Sequence, residues 1–300
     1  MKSRLVWLLL CCIWGSTWLF IKIGLNDLPP LTFAGIRFVI ASAILFLLIR
    51  ARRLTLPRTR KDWTLLATTG VLSFSLNYGL LFWGEQYISS GLAALLQATI
   101  PAFGLVIAHF YLPAERINTA RILGVVIGVA GVAVIFSNEL RVSGRRALAG
   151  SAALVLSSVC VAYANVLVKA RGKNLDPAIL SAGQMLFGLV PLLIIGIPLE
   201  GNPFHFHWTT MAVVALFYLA IVGSVIAFLS YYWLVQHMEV TKTMLIALVT
   251  PVVAVTLGVV VLDEKLGWRT LAGGAMIMSG IAMIVLRRTQ SLPGSVSAAS

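Results

Sequence analysis

Charged residues are scarce in this chain. They make up 11% of its 300 residues, against about 25% in a typical soluble protein. Hydrophobic residues make up 59%, and the mean hydropathy is +0.96. No water-soluble fold of this size can bury so much apolar side chain, so the composition excludes a soluble domain and indicates a protein solvated by lipid.

Several chemical signatures are also missing. The three cysteines, Cys11, Cys12 and Cys160, form neither a disulfide framework nor a metal-ligand spacing. His205 and His207, without further ligands, make a poor metal site. The sequence has no phosphate-binding glycine loop and no Ser-His-Asp set. We therefore expect no enzyme activity, no metal and no cofactor, and an ATP-driven pump has no support.

The net charge of +13 needs an explanation. It could indicate nucleic-acid binding, but the basic residues lie in short gaps between apolar runs, as the positive-inside rule describes for membrane proteins. We therefore expect lipid as a partner and no nucleic acid.

Apolar runs of about 20 residues are long enough to cross the hydrocarbon core of a bilayer. The first begins after Lys2 and Arg4, as a signal peptide does, but it is long enough to span and lacks a convincing cleavage site, which favours an uncleaved helix. The sequence predicts an all-α membrane protein with ten transmembrane helices at about 5–25, 31–50, 63–84, 91–111, 119–137, 149–170, 177–198, 209–233, 241–262 and 268–286.

The loop charges predict the orientation. With the N-terminus inside, 16 Lys and Arg residues fall in inner segments and 5 in outer segments. Arg141, Arg145 and Arg146, between helices five and six, are the main exceptions. This bias predicts a multi-pass protein of the cell inner membrane with both termini in the cytoplasm.

The two halves of the chain are similar. Pro29 and Pro177 are 148 residues apart, Pro101 and Pro251 are 150 apart, and Glu115 and Glu264 are 149 apart. Five helices per half is an odd number, so the halves must cross in opposite directions, as inverted repeats do. We expect repeats at residues 1–140 and 141–288 and a disordered cytoplasmic tail at 289–300.

Particular segments carry a family resemblance over about residues 5–288. Trp14-Gly15-Ser16-Thr17-Trp18, Lys22 and Arg37 resemble the start of an EamA repeat, and Gly91, Pro101, Glu115, Gly124 and Gly131 resemble its end. A second copy of the end contains Pro251, Glu264, Gly273 and Gly280. The sequence thus resembles EamA-type carriers of the drug/metabolite transporter superfamily. In the second half Ala162-Tyr163-Ala164-Asn165 replaces the Trp-Gly-Ser-Thr stretch.

The resemblance implies a central cavity shared by the halves and export of amino acids or similar metabolites. One branch of the superfamily exports aromatic amino acids, as carriers of the YddG type do. We expect a secondary transporter working by alternating access on a small-molecule substrate, as a monomer or homodimer. The alternatives are a drug or nucleotide-sugar exporter of the same superfamily and a non-transport membrane scaffold.

Two basic residues lie within predicted spans, where charge is costly. Lys22 could meet a substrate carboxylate, or it could snorkel or bond to helix-end carbonyls. Arg37 is expected to hold neighbouring helices through its several donors. No acidic residue lies at the centre of a span, and Glu85, at the end of helix three, comes closest. This favours a facilitator, or coupling through another group such as His109.

Polar and aromatic residues within the spans are candidates for a substrate site, because small-molecule sites combine apolar walls with a few polar anchors. Alternatively, these side chains could bond between helices. The candidate substrate-binding residues are Trp14, Trp18, Lys22, Asn77, Tyr78, Gln97, Tyr163, Asn165, Gln184 and Tyr231.

Pro101 and Pro251 occupy corresponding positions in helices four and nine. Proline removes one backbone hydrogen bond and kinks a helix. The pair could form hinges for a transport movement, or each could be a simple packing kink. We expect hinges, because the pair recurs in both halves.

Overall fold

A computed structural model of the chain describes residues 2–111, 119–142, 144–172, 175–237 and 246–286. Within these ranges the secondary structure is helical, without strands. Ten apolar helical segments, α1 to α10, cover Lys2–Gly24, Pro30–Ala51, Arg60–Glu85, Ser90–Tyr111, Thr119–Val142, Gly144–Arg171, Pro177–Glu200, Thr210–His237, Ile246–Leu262 and Trp268–Leu286.

Nine of these segments in the described part are long and apolar enough to cross a membrane. The other, α9, has 17 described residues, and residues 241–245, which the sequence assigns to it, lie outside the described ranges. The prediction of an all-α membrane protein is therefore confirmed. The predicted tail at 289–300 also lies outside the described residues.

Most helix starts follow from local sequence. Pro30 and Pro177 begin α2 and α7, since the first helical N–H needs no partner. Thr59, Ser89 and Thr209 accept a backbone N–H at the starts of α3, α4 and α8. Each such cap satisfies one of the free donors of the first turn.

Several spans differ from the regular helices predicted. In α3, Val71–Leu76 is π-helical, and so is Tyr218–Ile226 in α8. In α4, a turn at residues 98–99 separates Ser90–Gln97 from Ile100–Tyr111. No such break occurs near Pro251 in the described part of α9, where the proline lies within a continuous helix. Arg145 and Arg146 lie in the first turn of α6, not in a loop.

Helix packing relates the two halves reciprocally. α1 packs against α8 and α9 of the second half, and α6 packs against α3 and α4 of the first. α2 pairs with α7, and α5 pairs with α10. Each contact has a counterpart five helices away, as two inverted five-helix repeats require.

The α5–α10 pair depends on glycine. A Cβ atom at Gly124 would lie 2.7 Å from the carbonyl oxygen of Gly280, and one at Gly131 would lie 2.6 Å from that of Gly273. Such distances permit no side chain, so these backbones touch directly, as small residues allow between membrane helices. The glycines that mark the repeat ends in the sequence thus join the halves within one chain.

Two ends of the bundle are distinguished below. The terminal end is where α1 begins and α10 ends, and the far end is where α1 ends and α2 begins. Large apolar side chains such as Val126, Val129 and Ile194 are exposed along the sides of the bundle between these ends, as lipid contact requires.

Candidate transport site

The two π-helical segments occupy equivalent positions in the repeats. The offset of 148 that relates Pro29 to Pro177 carries residues 71–76 onto 219–224, within the second π-helical segment. Such segments are rare and often lie at functional sites, because they disturb the regular hydrogen-bond ladder. Their recurrence in both halves marks the middle of α3 and α8 as the first candidate site.

Arg37 of α2 connects these two places. Its Nε donates to Ser224 Oγ (3.0 Å) in the second π-helical segment, and the guanidinium carbon lies 5.0 Å from the ring centroid of Tyr78, just beyond the first. The side chain is 1% exposed. It holds neighbouring helices, as expected, but its Nη1 has no hydrogen-bond partner in the described structure.

Aromatic rings surround this guanidinium. Besides Tyr78, the rings of Phe38 and Phe82 lie within 5.3 and 6.0 Å of it. The negative faces of aromatic rings attract a cation and partly replace water around it. No ion pair joins Arg37 to a carboxylate within the described ranges. A buried cation without a carboxylate is rare in a membrane interior and marks a functional candidate.

Two predicted site residues, Asn77 and Gln97, meet beside this region. Gln97 Nε2 donates to Asn77 Oδ1 (3.1 Å) and to Ser157 Oγ (2.6 Å), and Ser158 Oγ donates to Gln97 Oε1 (3.3 Å). Asn77 also donates to the carbonyl of Ser73 in the π-helical segment (3.1 Å). This buried cluster joins α3, α4 and α6 directly before the break in α4.

Two more of the predicted site residues, Trp14 of α1 and Tyr231 of α8, contact each other. Their ring centroids are 5.4 Å apart, and Trp14 also packs edge-on against Phe228 (6.0 Å). Phe228 contacts Phe74 (5.6 Å), and Phe74 stacks on Tyr78 (5.8 Å). A continuous row of rings therefore runs from α1 through α8 to α3 and reaches Arg37.

The remaining predicted residues are dispersed. Trp18 is buried in the core, and Gln184 donates to Thr69 Oγ1 (2.8 Å) between α7 and α3. Tyr163 shares a hydroxyl hydrogen bond with Tyr111 (2.8 Å) near the terminal end, and Asn165 is exposed. The structure does not bring these four side chains into one cluster with the others.

Lys22 lies at the far end and not beside the aromatic row. Its ammonium donates to the carbonyls of Glu85 (2.6 Å) and Ile88 (2.7 Å), fastening α1 to the end of α3. Of the two interpretations left open by the sequence, the structure has Lys22 bonded to helix-end carbonyls.

Glu264 makes a second contact at the far end. From the connection after α9, its carboxylate accepts hydrogen bonds from Ser90 N (2.6 Å), Ser90 Oγ (3.0 Å) and Gly91 N (3.2 Å) at the start of α4. A helix N-terminus with free N–H groups favours a carboxylate. This contact joins the second half of the chain to the first.

Further polar contacts lie at the same end. Glu200 accepts from the backbone N–H groups of Leu31 (2.8 Å) and Thr32 (2.7 Å) at the start of α2. Asp27 accepts from Thr209 Oγ1 (2.6 Å) and contacts His207 Nδ1 (3.2 Å). The hydrogen bonds from Thr209 and His207 hold the pKa of Asp27 below its usual value, so Asp27 is ionised at neutral pH. Together these contacts close the far end.

The terminal end is open by comparison. A cavity of about 1140 Å³ lies between the α2–α3 connection, α3, the end of α6 and the start of α7. Residues of both halves line it, including Arg60, Thr68, Leu167, Arg171 and Ile179. None of the predicted substrate-binding residues lines this cavity, so it is not the predicted site.

The family described as the EamA-like transporter family matches residues 2–137 and 148–286. The chain belongs to the EamA-like transporter family. It is therefore a multi-pass membrane transporter, and lipid bilayer and a small-molecule substrate are its partners.

Similar proteins agree with this membership. The chain is 30% identical over 275 residues to the uncharacterized transporter YoaV of Bacillus subtilis (strain 168), covering 90% of this chain and 92% of YoaV. It is 31% identical over 285 residues to the uncharacterized inner membrane transporter YedA of Escherichia coli (strain K12), covering 91% and 87%. A solved crystal structure, 21% identical, matches 97% of this chain and 99% of that chain with a TM-score of 0.67, which supports the fold.

The sequence did not single out three features of this EamA-like carrier as functional. Glu264 has a sequence signal in its recurrence with Glu115, but that signal marks the repeat and not a contact; Glu115 itself lies outside the described residues. The position of Glu85 at a span end does not reveal its burial, and the side chain is 0% exposed. The π-helical segments have no sequence signal in a single chain.

Proposed function

We propose that this EamA-like carrier is a secondary transporter that exports small metabolites, chiefly amino acids, by alternating access. One observation supports this most. Polar contacts between the two halves, such as Glu264 with Ser90 and Glu200 with Leu31, close the far end, while a cavity between the halves opens at the terminal end. Such asymmetry is what one state of a two-state carrier built from inverted repeats presents. With the termini in the cytoplasm, as the loop charges predict, this state would receive solute from the cytoplasm.

Arg37 supports the choice of substrate class. A guanidinium without a carboxylate partner matches the carboxylate of an amino acid, and the rings of Tyr78, Phe74 and Phe82 suit an apolar or aromatic side chain. In the state described here these side chains pack on one another, so substrate would enter as α3 and α8 separate. We propose that Arg37 joins the predicted residues Trp14, Asn77, Tyr78, Gln97 and Tyr231 in the substrate site.

Movement of the helices would centre on α4. The turn at residues 98–99 directly precedes Pro101 and follows Gln97 of the polar cluster. Rotation of Ser90–Gln97 about this turn would release Glu264 from Ser90 without moving Ile100–Tyr111. We therefore keep Pro101 as a hinge, and Pro251 as its weaker counterpart in the second half.

Transport assays in liposomes test this function. Purified protein is reconstituted, and uptake of radiolabelled phenylalanine, tryptophan, threonine and methionine is compared with uptake of ethidium and of UDP-glucose. We expect counterflow of at least one amino acid above protein-free liposomes. Movement of ethidium or UDP-glucose alone would support the other exporter classes, and inertness toward the whole panel would contradict the proposal.

A further inference from the structure

Glu85, the last residue of α3, is the most deeply buried acidic residue in the described structure. It is completely buried, and neither carboxyl oxygen has a hydrogen-bond partner. Burying an ionised carboxylate without donors costs several kcal/mol, whereas a neutral carboxyl group costs far less. The geometry therefore fits a protonated carboxylic acid.

The charges around Glu85 lead to the same result. Lys22 of α1 and Glu264 of the connection after α9 are its electrostatic neighbours. Of the other helices packed there, α2 contributes Arg37, which lies deeper beside Phe82, and α6 contributes the uncharged Gly150. The positive Lys22 and the negative Glu264 balance each other, so ionising Glu85 would leave one uncompensated negative charge in a buried cluster.

Glu85 and Glu264 are thus two carboxyl groups in opposite environments. Three donors reach the carboxyl oxygens of Glu264, and none reaches those of Glu85. Carboxyl groups separated in this way can take different roles, one permanently charged and one exchanging a proton. A metal cation is a poor alternative, because the Lys22 ammonium already occupies the two carbonyl oxygens, of Glu85 and Ile88, that could coordinate it.

The burial of Glu85 depends on the closure of the far end. Lys22 and Glu264 make the contacts that hold α1, α4 and the end of α9 around it, so breaking them would admit water to the carboxyl group. In water a carboxylic acid ionises at neutral pH and releases its proton to that side. Re-closing the far end would require a proton to return.

We propose that Glu85 is a proton-binding site of this carrier and that its protonation is linked to closure of the far end. This inference rests on the proposed function for its meaning in transport, but the proton site itself can be tested without any substrate. The closed state binds the proton, so low pH favours closure and high pH favours opening.

Infrared spectroscopy of the protein in liposomes tests whether Glu85 is protonated. We expect a carbonyl band of a protonated carboxylic acid at pH 7, absent in Glu85→Gln. Glu200→Gln is the matched control, since Glu200 is also at the far end but accepts two backbone donors; it should keep the band. Absence of the band in the wild-type protein would overturn the proposal. If Glu85→Gln does not fold, Glu85→Asp should shift the frequency of the band.

Cysteine labelling tests the link to closure. In a protein without native cysteines, Ile88→Cys reports opening because Ile88 is buried, and exposed Gln86→Cys in the same connection corrects for thiol ionisation. The corrected labelling rate from the far side should rise with pH, by up to about tenfold per unit for one proton. In Glu85→Gln it should not change.

His207 is the control for another titrating group at the far end. His207→Gln should leave the pH dependence intact. Labelling that is independent of pH in the wild type, or a dependence that persists in Glu85→Gln and vanishes in His207→Gln, would contradict the proposal. If no amino acid is transported in liposomes, the proposed function fails, while the infrared and labelling results still decide the role of Glu85.

Discussion

Glu264 and Ser90 are joined by two hydrogen bonds across 174 residues of sequence, from Ser90 N (2.6 Å) and from Ser90 Oγ (3.0 Å). One residue follows the ninth span and the other begins the fourth, so the contact fastens one repeat to the other at the far end. In the proposed mechanism a solute leaves on that side, and opening there would break this contact.

Removal of this contact should open the far end. We expect Glu264→Ala to increase labelling of Ile88→Cys strongly, because hydrogen bonds to a charged group contribute about 1.5–3 kcal/mol each. Ser90→Ala removes only the hydroxyl bond and leaves both backbone donors, so its effect should be smaller. Equal labelling in the wild type and Glu264→Ala would show that the contact does not control opening.

The α5–α10 glycines provide a test of the fold. Gly131→Ala would place a methyl group 2.6 Å from the carbonyl oxygen of Gly273 and should lower stability by about 1–3 kcal/mol, as overpacking does. Gly128→Ala, in the same helix, meets no atom within 4 Å and serves as the control. Thermal unfolding in detergent measures both; similar midpoints for the two variants would contradict the direct backbone contact.

Arg37 should matter most for substrates that carry a carboxylate. Arg37→Met removes the charge but keeps much of the side-chain volume, so we expect the apparent affinity for a transported amino acid to fall at least tenfold. Arg37→Lys keeps a charge but loses the planar arrangement of donors, so the apparent affinity should fall less in this variant. Competition by phenethylamine, which lacks the carboxylate, should be unaffected. An unchanged affinity for the amino acid in Arg37→Met would show that Arg37 holds helices together but does not bind substrate.

The two prolines should differ. Because only Pro101 follows a break in its helix within the described part, Pro101→Ala should slow initial transport more than Pro251→Ala at equal protein amounts. Pro191→Ala in α7, where proline lies within an unbroken helix, is the control for general helix effects. Equal rates for all three variants and the wild type would reject the hinge.

Much of the fold could be predicted from the sequence, because lipid imposes a simple rule. Each span must be apolar and about 20 residues long, and repeated markers such as Pro29 and Pro177 show the two halves. The rule contains no information on irregular backbone, so the π-helical segments could not be predicted, whereas Pro101 does indicate an irregularity in α4.

The candidate site was predicted only in part. Asn77 with Gln97 and Trp14 with Tyr231 do form contacting pairs, but Gln184, Tyr163 and Asn165 lie elsewhere, since the position of a residue along a span does not determine which helix it faces. Glu85 illustrates the reverse case. Its place at a span end gives no sign of burial, whereas helix packing around it buries the side chain completely.

Accessibility at both ends, measured in one protein, tests alternating access most directly. Ile88→Cys reports the far end, and Thr68→Cys, which lines the terminal cavity, reports the other. Adding a transported amino acid should change the two labelling rates in opposite directions, one rising as the other falls. Rates that rise together, or that do not respond while transport proceeds, would contradict a carrier that opens its ends in turn.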